Sequence, residues 1–325
     1  MKKDIKFGIM GVSLLCIIFL GMFSTNGIAS GNYNIALNKG TEMLIVSQYN
    51  EAAWKTTVNS STTPSIWFEG DSNQTGARSK NTIKGWNYVT WKTYDVFVSL
   101  FLPALFESEE LIPLLVLMNN QGYNESTINT NYTNTYNLWV GLRATWNFTI
   151  GDFEEVPTNA NEALLIFKNP TDFDEILNNY NNLSAELNSL PAIQFSGYSF
   201  PILERDGFLW LFIFNGLTLG TPFNSYLEEL ITVLNCKNAI VSNNVLIINR
   251  TGETDYTIEI TYGSEGTMSL FVVKDVGSNI IYQIVSRNSD WAFYAIIIVI
   301  VICIGSLSAY LIFRKLRIKK RYRNK

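Results

Sequence analysis

The 325-residue chain has no histidine. That absence removes the Ser-His-Asp and Cys-His nucleophilic constellations, zinc sites built on imidazole, and the commonest general base near neutral pH. Cysteine is almost as scarce. Cys16 and Cys303 fall in long apolar runs near the two ends, so Cys236 is the one thiol between them and neither an internal disulfide nor a thiolate metal cluster can form there. With Val233, Leu234 and Ala239 around it, Cys236 reads as a small core hydrophobe. A stretch of about 260 residues can bury an adequate core without covalent staples. Neither a Walker loop nor a dinucleotide fingerprint occurs, and nothing in the chain calls for a cofactor.

Positive charge is missing from the middle and concentrated at the ends. Of the 24 Lys and Arg, eight follow Phe313 and three precede Phe7, which leaves thirteen basic against twenty-seven acidic residues between, a charge of about −14. Such a surface repels nucleic acid and anionic lipid, so DNA or RNA is not a partner.

The end charges border apolar runs. Trp291–Phe313 has no charged residue and is followed at once by RKLRIKKRYRNK. Its 23 residues make a helix of roughly 34 Å, enough to cross a hydrocarbon core of about 30 Å. Trp291, Phe293, Tyr294 and Tyr310 stand near its edges, and the basic cluster keeps the C-terminus inside. At the other end Lys2, Lys3 and Lys6 precede the apolar stretch Phe7–Phe23 and the small-residue exit Ser24–Ser30, the pattern of a signal peptide; an uncleaved signal anchor is the rival reading. The expected organisation is signal peptide 1–30, extracellular domain 31–290 with a candidate sub-boundary near 119–137, transmembrane helix 291–313 and cytoplasmic basic tail 314–325. Within the membrane run, Gly305 and Ala309 form a small-xxx-small face that would let two copies approach, a candidate homodimer contact.

The exterior reads as α+β: a mainly antiparallel β-sheet with two or so covering helices. Asp255–Tyr262 alternates apolar and polar, and Val245–Asn249, Met268–Lys274 and Asn279–Ser286 extend it into a meander. Earlier strands are expected at Met43–Gln48, Trp86–Leu100, Asn137–Thr149 and Ala163–Phe167. Phe208–Phe214, with no polar member, reads as a central strand. One helix is expected after Thr171, with Asp174 in the capping-box position and an apolar stripe from Phe173 to Leu190; a second opens at Thr221-Pro222. The helix carboxylates Asp172, Asp174, Glu228 and Glu229 read as solvated or dipole-facing. Asn59–Asn81 and Asn119–Asn137 read as polar surface loops, and Phe97–Met118 as buried core, with a groove lining or a dip toward the membrane surface as its alternative.

Candidate sites are few. Asp71, Asn73 and Thr75 start like a calcium loop but lack its closing Glu, and Asp152, Glu154 and Glu155 are a similarly weak calcium candidate; a plain turn is the favoured reading of both. Seven Asn-x-Ser/Thr sequons begin at Asn59, Asn73, Asn124, Asn131, Asn147, Asn182 and Asn249, and the first four lie in turn-like stretches that suit N-glycosylation. Paired carboxylates for hydrolysis cannot be selected from sequence among so many acidic residues. Trp67, in a loop, is the aromatic most suited to a surface contact, whereas Trp86, Tyr88 and Tyr94 suit a packed sheet face.

Signal peptide, acidic β-rich exterior, single membrane helix, basic tail and the closing meander TYGSEGTMSLFVVKDVGSNIIYQI together resemble single-pass cell-surface proteins of archaea, and the Asn- and Ile-rich, histidine-free composition resembles AT-rich genomes of that kind. The chain departs from archaeosortase-processed proteins in having no PGF-like tripeptide before the helix. The resemblance implies surface display and carries over no functional residue. The leading expectation is a membrane-anchored, non-enzymatic binding or envelope-structural ectodomain whose partners are the bilayer and a surface protein, glycan or hydrophobic ligand. A membrane-tethered lipid carrier and a carboxylate-dependent surface hydrolase are the alternatives. Protease added to intact cells is expected to remove residues 31–290; survival of that portion until the cells are permeabilised would reverse the orientation.

Overall fold

The computed structural model describes residues 33–215 and 217–288. The expected signal peptide, the membrane run with Gly305 and Ala309, and the basic tail lie outside the described residues. Among the described residues no helix is long and apolar enough to cross a membrane.

The fold is α+β. Strands β1 (Gly40–Tyr49), β2 (Arg78–Lys92), β3 (Thr135–Thr149), β4 (Asn159–Phe167), β5 (Ala239–Ser242), β6 (Val245–Thr251), β7 (Asp255–Tyr262), β8 (Met268–Asp275) and β9 (Ile280–Asn288) form one antiparallel sheet in the order β4-β3-β2-β1-β9-β8-β7-β6-β5. Two meanders, β1–β4 and β5–β9, are thus joined where β1 pairs with β9. The sheet and its core continue across 119–137: β2 pairs with β3 over Arg78–Lys92, and Met118, Ile128 and Tyr136 share one core.

Helices enter at two places. Between β1 and β2 lies the short α1 (Glu51–Thr57), and between β2 and β3 lie α2 (93–105), α3 (Ser108–Asn120) and α4 (Glu125–Asn131). Between β4 and β5 run α5 (Asp172–Ser189), α6 (Pro191–Ser196), α7 (Arg205–Phe214) and α8 (Phe223–Leu234). Since β4 and β5 are opposite edges, this second group must travel the width of the sheet and so covers a face of it. The segment after α7 shows how far the sheet curls. Thr218 N–H donates to Leu165 on β4, and the next residue, Leu219, donates to Gly266 in the turn before β8. Those places lie five strand steps apart, about 24 Å in a flat sheet, so twist and coil must bring them together.

Several expectations are corrected. Phe208–Phe214 is helix α7, not a central strand. Its rings are met from several sides: Phe208 and Phe212, both buried, meet Phe101, Phe167 and Phe173, while the half-buried Trp210 and Phe214 meet Trp67, Phe68 and Phe271. Such a run carries no period, so its composition cannot separate helix from strand. The strand expected over Trp86–Leu100 ends at Lys92, whose N–H is accepted by Asp95 at 2.8 Å to open α2. The buried core expected over Phe97–Met118 takes helical form, with Phe97, Leu100, Phe101, Leu102, Leu114 and Met118 buried and Pro113 inside α3. The loop expected at Asn119–Asn137 contains α4, started by the Asn124 side chain, which accepts from Thr127 N at 3.0 Å. Trp67 is not a surface contact but packs in the aromatic core, and Tyr88 is half exposed rather than packed.

The two expected helices stand with altered details. The Thr171 side chain makes no cap bond, so no capping box forms, and α5 is held by the stripe Phe173, Leu177, Tyr180, Leu183 and Leu187 together with bonds from Asn179, Asn181 and Asn188 to neighbouring segments. Glu229 is buried rather than solvated and accepts the Tyr33 hydroxyl at 2.7 Å, which ties the start of the described chain to α8. Asp174 pairs with Arg205 at 3.0 Å.

Asp172 is half-buried at the start of α5. Burial, and then the charge of Glu175, push its carboxyl up to about 6 against the reach of the Asn169 side chain. The folded chain therefore holds this proton more tightly than the unfolded one. Its contribution is fully present below about pH 4, is lost as pH rises through about 6, and leaves a strained carboxylate above that. Asp172→Asn is expected to raise stability by about 1 kcal/mol at pH 7.5, the shift being discounted for partial exposure, and to change little at pH 4, as read by denaturant melts at the two pH values.

Candidate functional site

A cleft of about 620 Å³ opens between the first turn of α7 and the β6–β7 hairpin. That volume suits a small-molecule or oligosaccharide site. Its walls are fixed by groups already bonded to one another. Asp206, at the start of α7, accepts the backbone N–H groups of Lys237 and Asn238 at 3.2 and 3.1 Å, and so clamps the helix to the link before β5. Next to it, Arg205 donates to Leu234 O at 2.8 Å, closing the open carbonyl end of α8 while pairing with Asp174.

The opposite wall is the hairpin. Thr251 donates to Asp255 at 2.8 Å across its mouth. Its turn is seated on the end of α1 and the segment after it: Thr254 N–H donates to Thr57 O, and Ser60 N–H to the Glu253 carboxylate at 2.9 Å, a bond that holds Glu253 below the usual carboxylate range. The approach is close enough that a Cβ on Gly252 would stand 2.1 Å from Val58 O, so only glycine fits.

Between the walls lies Arg250. Its guanidinium sits 4.2 Å from the centre of the Trp210 ring, and Trp210 is braced from behind by Trp67. Its cross-strand neighbour Tyr256 is bonded to it, although burial still holds the Tyr256 hydroxyl above its usual range. Among the described residues Arg250 forms no ion pair. Asn238, Asn249 and Thr257 add amide and hydroxyl groups to the lining. The cleft can therefore offer a held cation, hydrogen-bonding groups and an aromatic wall.

Sequence reasoning missed this site. Asn249, Arg250 and Thr251 register in the sequence as a sequon, and Trp210 as part of a strand. Only the helical turn of α7 brings Trp210 to Arg250.

The calcium candidates are brought side by side. Asp71 accepts Ile150 N–H at 3.1 Å through one oxygen and Gln74 at 3.2 Å through the other, while its own N–H donates to Phe148 O at 2.7 Å. A Cβ on Gly70 would meet Phe148 O at 2.2 Å, so the two segments lie backbone to backbone. Cations share this corner: Arg78 donates to Gly151 O, and Lys80 lies 3.6 Å from the Trp146 ring centre. Asn73 and Thr75 are exposed, as are Asp152, Glu154 and Glu155. Among the described residues no three Asp, Glu, Cys or His side chains gather as a metal would require. Asp71 serves as a loop pin.

Of the glycosylation candidates, Asn73 and Asn131 are exposed. The Asn59 side-chain oxygen accepts Ser61 N–H, and that of Asn124 caps α4. Asn249, a sequon outside those four, is exposed at the cleft.

Two carboxylates are pushed in opposite directions. Burial raises Glu42, which accepts from Ser286; burial also presses on Glu162, but the bonds from Arg143 and Thr145 outweigh it and hold Glu162 low. Opposed shifts suit an acid and a base. Both oxygens of Glu162 are nevertheless committed to protein donors, and neither residue lines the 620 Å³ cleft. An apolar cavity beside Phe97, Phe101 and Tyr180 holds about 10 Å³, less than a lipid chain needs by more than an order of magnitude.

Comparison with protein-family models, curated proteins and solved structures finds no match.

Removing the Asp71 carboxylate leaves the exposed Ile150 N–H to water. Asp71→Ala should lose about 0.5–1.5 kcal/mol in denaturant melts, while millimolar calcium leaves the melting temperature of the unaltered chain unchanged. A calcium-dependent rise in Tm that disappears in the variant would restore the ligand reading.

Proposed function

We propose that this chain is a membrane-anchored, single-pass cell-surface protein whose folded portion is a non-enzymatic binding domain, and that the cleft beside Arg250 receives an acidic carbohydrate. The carrying observation is the state of Arg250: a half-buried arginine, its guanidinium 4.2 Å from the centre of the Trp210 ring, in an accessible cleft and with no carboxylate paired to it among the described residues. Holding a cation there costs solvation that an ion pair does not recover, and an incoming carboxylate would supply the missing partner with charge-assisted bonds. The amide and hydroxyl lining suits sugar hydroxyls. An extracellular location and anchoring through residues 291–313 rest on the uncharged run and its basic stop.

Binding is favoured over hydrolysis because the carboxylates of the cleft are engaged. Asp206 holds two backbone N–H groups and Asp255 holds Thr251, so both act as struts of the walls. A lipid carrier is disfavoured by the dense aromatic packing where a chain would lie.

Trigalacturonate titrated into the full-length chain in detergent is expected to change tryptophan emission saturably, with maltotriose far weaker. Arg250→Gln should weaken trigalacturonate by about tenfold, the value of one charge-assisted pair. Equal response to both sugars, or an Arg250→Gln chain that binds as well as the original, would overturn the assignment.

A further inference from the structure

Helix α3 is apolar on two opposite sides. Leu114 and Met118 are buried, yet Ile112 and Val116 are 73% and 55% exposed. One turn of helix separates the members of each pair, so each pair forms a stripe and the outward stripe has no protein cover among the described residues. A second group stands nearby: Phe195 on α6 is 91% exposed and Ile202, in the link to α7, is 58% exposed. The two segments meet where Phe106, just before α3, packs against Tyr198 and Phe200 at ring separations of 6.1 and 5.2 Å. A phenylalanine almost wholly in water and an isoleucine nearly so, on joined helical segments, are the mark of a surface that contacts something apolar.

The chain itself indicates what that is. Strand β9 ends at Asn288, and the uncharged run begins at Trp291, three residues later, a reach of at most about 11 Å. If that run spans a bilayer, the folded body is held against the headgroups and part of its surface must lie among them. The exterior carries a charge of about −14, which anionic headgroups repel, so the apolar prominence is the part that can enter.

We infer that the exposed apolar stripe of α3, with Phe195 and Ile202, inserts into the interfacial layer of the bilayer that anchors the chain. This rests on the anchoring proposed above. Insertion to about 5–10 Å would give the body a second point of attachment and so orient it relative to the membrane.

The test uses the full-length chain in phosphatidylcholine vesicles doped with phosphatidylcholine carrying a diazirine near the carbonyl end of one acyl chain. After illumination, peptides covering 108–120 and 190–203 are expected to carry lipid adducts in addition to those on 291–313. An Ile112→Ser/Phe195→Ser chain should lose the first two sets several-fold and keep the third. Adducts confined to 291–313 would overturn the inference while leaving anchoring intact. Absence of adducts on 291–313 would overturn anchoring and the inference with it.

Discussion

The aromatic packing of helix α7 is the constraint on which the rest of the structure depends. A helix with this many large apolar side chains needs cover on more than one side, and here aromatic rings supply most of it. Phe271 on β8, Phe167 on β4, Phe101 on α2, Phe173 on α5 and the Trp67–Phe68 loop converge on four rings of α7. β4 and β8 are far apart in strand order, so a flat sheet could not present both Phe167 and Phe271 to one helix. The curl of the sheet, the path of 217–221 along its edge and the placement of α5 and α8 all serve that packing. Aromatic pairs in edge-to-face geometry add about 0.5–1.5 kcal/mol each beyond the area they bury, which favours this helix over a looser apolar packing.

Polar groups are distributed by the same logic. Three carboxylates drawn inward have partners: Glu229 takes Tyr33, Glu162 takes Arg143 and Thr145, and Asp206 takes two backbone N–H groups. Against that background Arg250 stands out, being half-buried with an aromatic ring and a tyrosine for company but no carboxylate. The same helix that organises the core also makes the cleft, because Trp210 faces the aromatic loop with one edge and Arg250 with its ring. Core and site are therefore coupled through one side chain.

The legible parts of this fold were those with a repeating pattern. Asp255–Tyr262 stands as read, residue for residue, since one of its faces is buried and the other wet, and the strands on either side of it deviate by one or two residues. The α5 and α8 stripes were legible for the same reason. Phe208–Phe214 was illegible because a run with no polar member carries no period, although the structure buries Phe208, Leu209 and Phe212 more deeply than the rest. The α2–α3 region was obscured by Pro103 and Pro113, which read as breakers although helix turns accommodate both. Helix α4 did leave a signal, Asn124 as an N-cap, but the asparagine-rich surroundings concealed it. Of the site, Asp71 was singled out for its oxygen, and the structure uses that oxygen to pin a loop.

By itself the sequence determined the charge asymmetry, the lack of imidazole and thiolate chemistry, the uncharged run with its basic stop, and an antiparallel, β-rich middle. All of these depend on composition or on short-range periodicity, which survive without knowledge of contacts. Tertiary structure alone decided which apolar run became the central helix, how far the sheet curled, and which side chains met in the cleft. Those outcomes depend on residues as distant in sequence as Trp67, Trp210 and Arg250, whose proximity is a property of packing and not of any local pattern.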